Sequence, residues 1–207
     1  QEEWEEGLRV AQRYLHSLGI TAWQDAIVGG PYETLDAYTA TAGRDELTAR
    51  VVGSLWWDRH RGEEQIDELV AKRDRSSVGR FRATTVKIMQ DGVIEDFTAG
   101  VLDPYLDRHG MPTSNRGMSF VDPERLKASV TLLDAEGFQV HIHAIGERAV
   151  REALDALEAA RGANGANDHR HHIATSRWSI PTTSRGSTSS GWWRTPSPCG
   201  RRSRVRW

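Results

Sequence analysis

Two histidines, His141 and His143, close the apolar run Gln139-Val140-His141-Ile142-His143, and Ala144-Ile145-Gly146-Glu147-Arg148-Ala149 follows at once. In an extended strand, residues two apart share a face, so both imidazoles point the same way. Neutral imidazole is a ligand for divalent metals, and a strand end that passes straight into a helix is where barrel enzymes place reactive groups. Gly146 is expected to permit the turn, and the run from Glu147 through Ala160 has the apolar spacing of a helix. The plainer alternative is a pair of core histidines, each satisfied by a backbone carbonyl. The strand-end position favours His143 as a ligand, with His141 one step deeper as a supporting or packing residue. Glu147 reads as the first-turn acid of its helix rather than a catalytic base.

The elements that must position these residues alternate along the chain. Trp4, Leu8, Ala11, Tyr14 and Leu15 keep helical spacing over 2–16, with Gly19 as the stop before a strand at Ile20-Thr21-Ala22-Trp23. Further helices are predicted over 33–42 and 62–72, with the β-forming stretch 47–57 between them, and a short apolar run over 84–89 ends at Asp91-Gly92. A helix over 122–136 delivers the chain to the histidine strand, and another strand is expected near His169. Alternation with short connections predicts a parallel sheet wrapped by helices, open or closed into a barrel. Asp91 is expected to hydrogen-bond the turn after the strand that ends at Met89, a structural role rather than proton transfer. Trp56-Trp57 could wall a substrate pocket or simply fill the core.

Composition divides the chain. Of 207 residues, 175–207 hold seven of the 27 basic residues, all arginine, with four of the eight tryptophans, the single Cys199, and no Asp, Glu or Lys. What precedes them carries 20 basic against 29 acidic side chains, a net charge of −9. Cysteine usage excludes a disulfide framework, no apolar span of membrane length is present, and a cytoplasmic location is expected. The first residue is Gln1, already in an amphipathic pattern, which suggests that an N-terminal part precedes it.

Three segments together resemble the metal-dependent amidohydrolase superfamily, most closely the branch of the N-substituted formamide deformylases. They are Val86-Lys87-Ile88-Met89-Gln90-Asp91-Gly92-Val93-Ile94-Glu95 with Pro104-Tyr105, then Val140 to Ala149, then His169-Arg170-His171-His172-Ile173. The resemblance covers residues 1–174 and implies an α/β fold, a partial (β/α)8 TIM-type barrel of about strands 2 to 6 that lacks the first and last strands. It also implies one or two divalent metals, zinc being usual, and a small amide-like substrate cleaved at a non-peptide C–N bond. Lys87 matches the family's fourth-strand lysine ligand and His143 its fifth-strand histidine, with His141 as an added candidate. A protonated ammonium has no lone pair, so Lys87 can ligate only as its carbamate or after losing its proton through burial.

At the sixth strand relatives typically read Arg-His-Arg-Ile-Glu-His-Leu, whereas this chain has Arg170-His171-His172-Ile173-Ala174-Thr175-Ser176, a threonine where the ligand histidine belongs. Restoring one C after the Ala174 codon rereads the remainder as a helix-and-strand pattern beginning His-Leu-Gln-Val-Val-His-Pro. Residues 175–207 are therefore expected to be a frameshifted, disordered and dispensable tail, and the chain as written to be inactive and prone to homo-oligomerisation or aggregation. His171 or His172 could bind metal adventitiously. Two other readings stand beside this one: an inactive structural fragment, and a nucleic-acid-binding arm built on Trp192-Trp193-Arg194 and Arg201 to Trp207. The frameshift explains the same composition without nucleic acid, and no membrane partner is expected.

Overall fold

The computed structural model describes residues 1–30, 32 and 34–175. The chain is α/β, with a helix before each strand: α1 (Glu2–Ser17), β1 (Ala22–Val28), α2 (Thr34–Gly43), β2 (Arg50–Trp56), α3 (Ile66–Ser76), β3 (Phe81–Met89), α4 (Pro123–Ala135), β4 (Gln139–His143), α5 (Glu147–Asn164) and β5 (His172–Ala174). Strands are hydrogen-bonded in the order β1-β2-β3-β4-β5, parallel in register between β1 and β2 and between β2 and β3. Sequential parallel strands with helical crossovers are the repeating unit of a TIM-type barrel, of which this is a part. No helix among the described residues is long and apolar enough to cross a membrane.

Packing divides the chain into two compact units. The first comprises Gln1–Ile88 with Leu133–His141. Its core holds Val28, Leu35, Tyr38, Leu55, Phe81 and Val86, all buried, with the Tyr38 ring stacked on Phe81 at 4.8 Å. Helix α1 forms as its spacing predicts, but its apolar stripe is not the buried face. Trp4 and Tyr14 are exposed, while Glu5 and Gln12 are buried. The reason is hydrogen bonding: Glu5 accepts from Arg44, and the Gln12 amide donates to the Glu46 carbonyl and accepts from the Thr48 and Ala49 N–H groups. Strand β1 begins at Ala22 and continues to Val28, beyond the expected four residues.

The second unit comprises Met89–Leu132 with Ile142–Trp207, of which 142–175 are described. Here the expectation of short connections is corrected. Residues 90–122 join β3 to α4 with no helix or strand, apart from a bridge between Leu106 and Pro112. Connections of this length in compact domains are usually functional. This one is pinned by its own polar groups: Asp107 accepts from the His109 and Met111 N–H groups, and Tyr105 donates to the Ala99 carbonyl. Asp122 then caps α4 by accepting from the Glu124 and Arg125 N–H groups, with Pro123 at the first helical position. The final expected strand starts at His172 rather than near His169.

Candidate metal centre

Lys87 lies near the end of β3, beside Trp56 of β2 in register, and is 5 % exposed. Its ammonium faces a ring nitrogen: Nζ is 3.0 Å from His141 Nε2 on β4. Burial disfavours the charged amine and pulls its pKa down to about 8. Two residues earlier on the same strands, hence on the same face, lies a row of polar side chains that the sequence reading missed. Gln24 Nε2 donates to Ser54 Oγ at 3.2 Å and to Thr85 Oγ1 at 3.3 Å, and Thr85 Oγ1 donates to Gln139 Oε1 at 3.0 Å. Barrel interiors are ordinarily filled by branched apolar residues, so this row is a departure. Parity carries the signal: Thr85 and Gln139 stand two before Lys87 and His141.

In the second unit His143 closes β4, 7 % exposed. Its Nε2 is 3.0 Å from the Gly92 carbonyl oxygen, an acceptor, so Nε2 carries a proton. The Thr175 hydroxyl, which donates to the Ala174 carbonyl, lies 2.9 Å from Nδ1, the atom that holds the lone pair when the ring is neutral with its proton on Nε2. Asp91 is fully buried and its carboxylate accepts three backbone N–H groups, from Ile145 at 3.0 Å and from Gly146 and Gly100 at 2.9 Å. The nearest approach of Asp91 Oδ1 to His143 Nε2 is 3.6 Å, beyond hydrogen-bond range but close for a charge. Gly146 takes an extended conformation, and a Cβ there would collide with the Gly100 carbonyl oxygen. Close approach, rather than the turn geometry expected, explains this glycine.

Taken each in its own unit, these side chains are of kinds that can ligate a divalent metal. A metal-bound histidine typically donates its other ring N–H to a carbonyl or carboxylate, and His143 makes that contact with the Gly92 carbonyl. The pKa of Lys87, lowered to about 8, brings the unprotonated amine a ligand or carbamate requires within reach near neutrality. The structure brings Lys87 and His141 together and gives His143 its own setting with Asp91, Gly92 and Thr175. Asp91 bonds Gly100 in the connection after the lysine strand, where a bond was expected, and also Ile145 and Gly146 after the histidine strand, which was not expected, and Glu147 opens α5. Trp57 is buried and its backbone N–H donates to the Lys87 carbonyl, while Trp56 is half-buried. His171 is buried with its ring edge-on to His169 at 5.8 Å, and His172 opens β5. The tail from Ser176 onward, with the nucleic-acid arm proposed on it, lies outside the described residues.

The chain is 29% identical over 152 residues to the exoenzymes regulatory protein AepA of Pectobacterium carotovorum subsp. carotovorum, covering 72% of this chain and 31% of that protein. Its fold is similar to that of an uncharacterized metal-dependent hydrolase from Pyrococcus furiosus, with a TM-score of 0.69 and 22% identity over 91% of this chain and 36% of that one. A second uncharacterized metal-dependent hydrolase, from Pyrococcus horikoshii OT3, gives a TM-score of 0.63 and 23% identity over 83% of this chain and 32% of that one. The chain thus spans about a third of the length of these relatives. At such identities the likeness to the two solved structures is one of fold. Residues 1–187 match the Amidohydrolase family as a whole, and by that match the chain belongs to the Amidohydrolase family.

Proposed function

We propose that this chain carries the central part of a divalent-metal-dependent hydrolase that cleaves non-peptide C–N bonds in small N-substituted amides or formamides, zinc being the expected metal. The observation that supports it most is the hold on His143, with Nε2–H on the Gly92 carbonyl and Nδ1 facing the Thr175 hydroxyl. A divalent ion bound there supplies Lewis acidity, lowering the pKa of a bound water and polarising the amide carbonyl. His143 contributes an oriented nitrogen that is open to a ligand once the Thr175 hydroxyl is displaced from it. In the first unit Lys87 contributes a buried amine which, deprotonated or as its carbamate, could ligate, with His141 beside it to hold the amine in place.

The same geometry supports inactivity of the chain as written. The Thr175 hydroxyl lies 2.9 Å from His143 Nδ1, at the position where the family resemblance implies a histidine. Thr175 also has φ 68°, a left-handed conformation that β-branched residues rarely adopt. Both features fit an altered reading frame from Thr175 onward. The test is hydrolysis of a panel of simple amides and formamides by the zinc-loaded 207-residue chain, beside a version with the frame restored after Ala174 and extended to the length of its relatives. Turnover is expected only from the restored protein, and exhaustive chelation or His143→Ala should abolish it. Activity that survives either treatment would sink the metal assignment.

A further inference from the structure

Asp91 is a buried carboxylate with no guanidinium or ammonium among its hydrogen-bond donors in the described residues. Its acceptors are spent on three backbone N–H groups drawn from two places: Gly100, in the long connection after β3, and Ile145 with Gly146, in the turn between β4 and α5. Such an anion stabilises the backbone amides at the entry to a helix, but a structural clamp of this kind could sit anywhere along the turn. What distinguishes Asp91 is its neighbour in sequence. Gly92, the next residue, supplies the carbonyl that receives the His143 Nε2–H. The peptide joining Asp91 to Gly92 is thereby fixed at one end by the carboxylate on Ile145 and Gly146, two and three residues past His143, and at the other by the ring itself. The Gln90 N–H donates to the His143 carbonyl and completes the tie between the two strand ends.

We infer that Asp91 is a positioning residue for His143: it aims the Gly92 carbonyl at Nε2 and places negative charge beside that proton, so that the ring keeps Nε2 protonated and presents Nδ1 for coordination. The inference rests on the ligand reading of His143 given above. Its chemistry is a choice between tautomers, since neutral imidazole carries one proton and can give a metal only the other nitrogen. Asp91→Asn retains size but removes the charge and turns an NH2 group toward one of the backbone donors, so the peptide at Gly92 loses its anchor.

The experiment uses the 207-residue chain labelled with 15N at histidine, metal-free and then titrated with zinc alone. In the wild type the His143 ring shifts should report a protonated Nε2. In Asp91→Asn they should move toward a mixture of tautomers, and zinc affinity should fall by about 10-fold or more. A metal-free wild-type ring protonated on Nδ1 alone would overturn the inference without recourse to any variant, which keeps the test decisive if Asp91→Asn fails to fold. So would a folded Asp91→Asn with wild-type ring shifts and zinc affinity within about twofold of wild type. His143→Ala separates this inference from the reading beneath it: zinc affinity untouched by that substitution removes His143 as a ligand, whereas a tautomer shift in Asp91→Asn still reports the positioning.

Discussion

Lys87 enters the folded state at a cost that depends on pH. Its pKa falls from 10.5 in the exposed amine to about 8 on burial, so the folded chain holds this proton less tightly than the unfolded one. Below about pH 8 both states are protonated and the penalty is present in full. Between about 8 and 10.5 the unfolded state binds more protons, stability rises with pH, and the penalty is relieved. At roughly 1.4 kcal/mol per unit the penalty is on the order of 3 kcal/mol. Metal-free Lys87→Met is therefore expected to unfold at higher denaturant than the wild type at pH 7, with the gap closing by pH 10.5. A gap that is constant with pH, or that opens as pH rises, contradicts the assignment. The sequence singled out Lys87 and His143 as candidates through the Asp91-Gly92 and Ala144 to Gly146 flanks. The contact between Lys87 and His141 was not legible, because pairing of separate strands sets it and their register is written in no local pattern.

Among the elements, α1 shows how far pattern alone reaches. Its periodicity located the helix to within a residue, yet the stripe of Trp4 and Tyr14 faces outward and Glu5 with Gln12 faces in. Periodicity finds a face; what packs on that face is decided by hydrogen bonding with residues far along the chain, here Arg44, Glu46, Thr48 and Ala49. Gln12→Ala leaves the Thr48 and Ala49 N–H groups without their acceptor, a loss of about 1–3 kcal/mol. Chemical denaturation should show it as a lower midpoint with unchanged slope, whereas Tyr14→Ala, at an exposed position, should move the midpoint little. Equal and small effects of both substitutions would mean that the polar face does not hold the helix. Segment 90–122 escaped prediction for a related reason. It lacks any repeat, and its order comes from side chains such as Asp107 and Asp91 bonding backbone groups several residues away.

On the scale of the whole molecule, alternation of elements was enough to foresee a parallel α/β sheet, and three ordered motifs were enough to foresee the family. The matched relatives are about three times as long as this chain, so the restored and extended protein is where the proposed hydrolysis belongs. The metal ligands, by contrast, can be examined in the 207-residue chain itself. Crystals of that chain loaded with zinc and measured at the zinc absorption edge would place any bound ion by its anomalous scattering. The account predicts a peak about 2.0–2.1 Å from His143 Nδ1, with the Thr175 hydroxyl displaced from that nitrogen and Nε2 still on the Gly92 carbonyl. A zinc peak bonded to Nε2, or zinc bound elsewhere while Thr175 keeps its place on Nδ1, would contradict it.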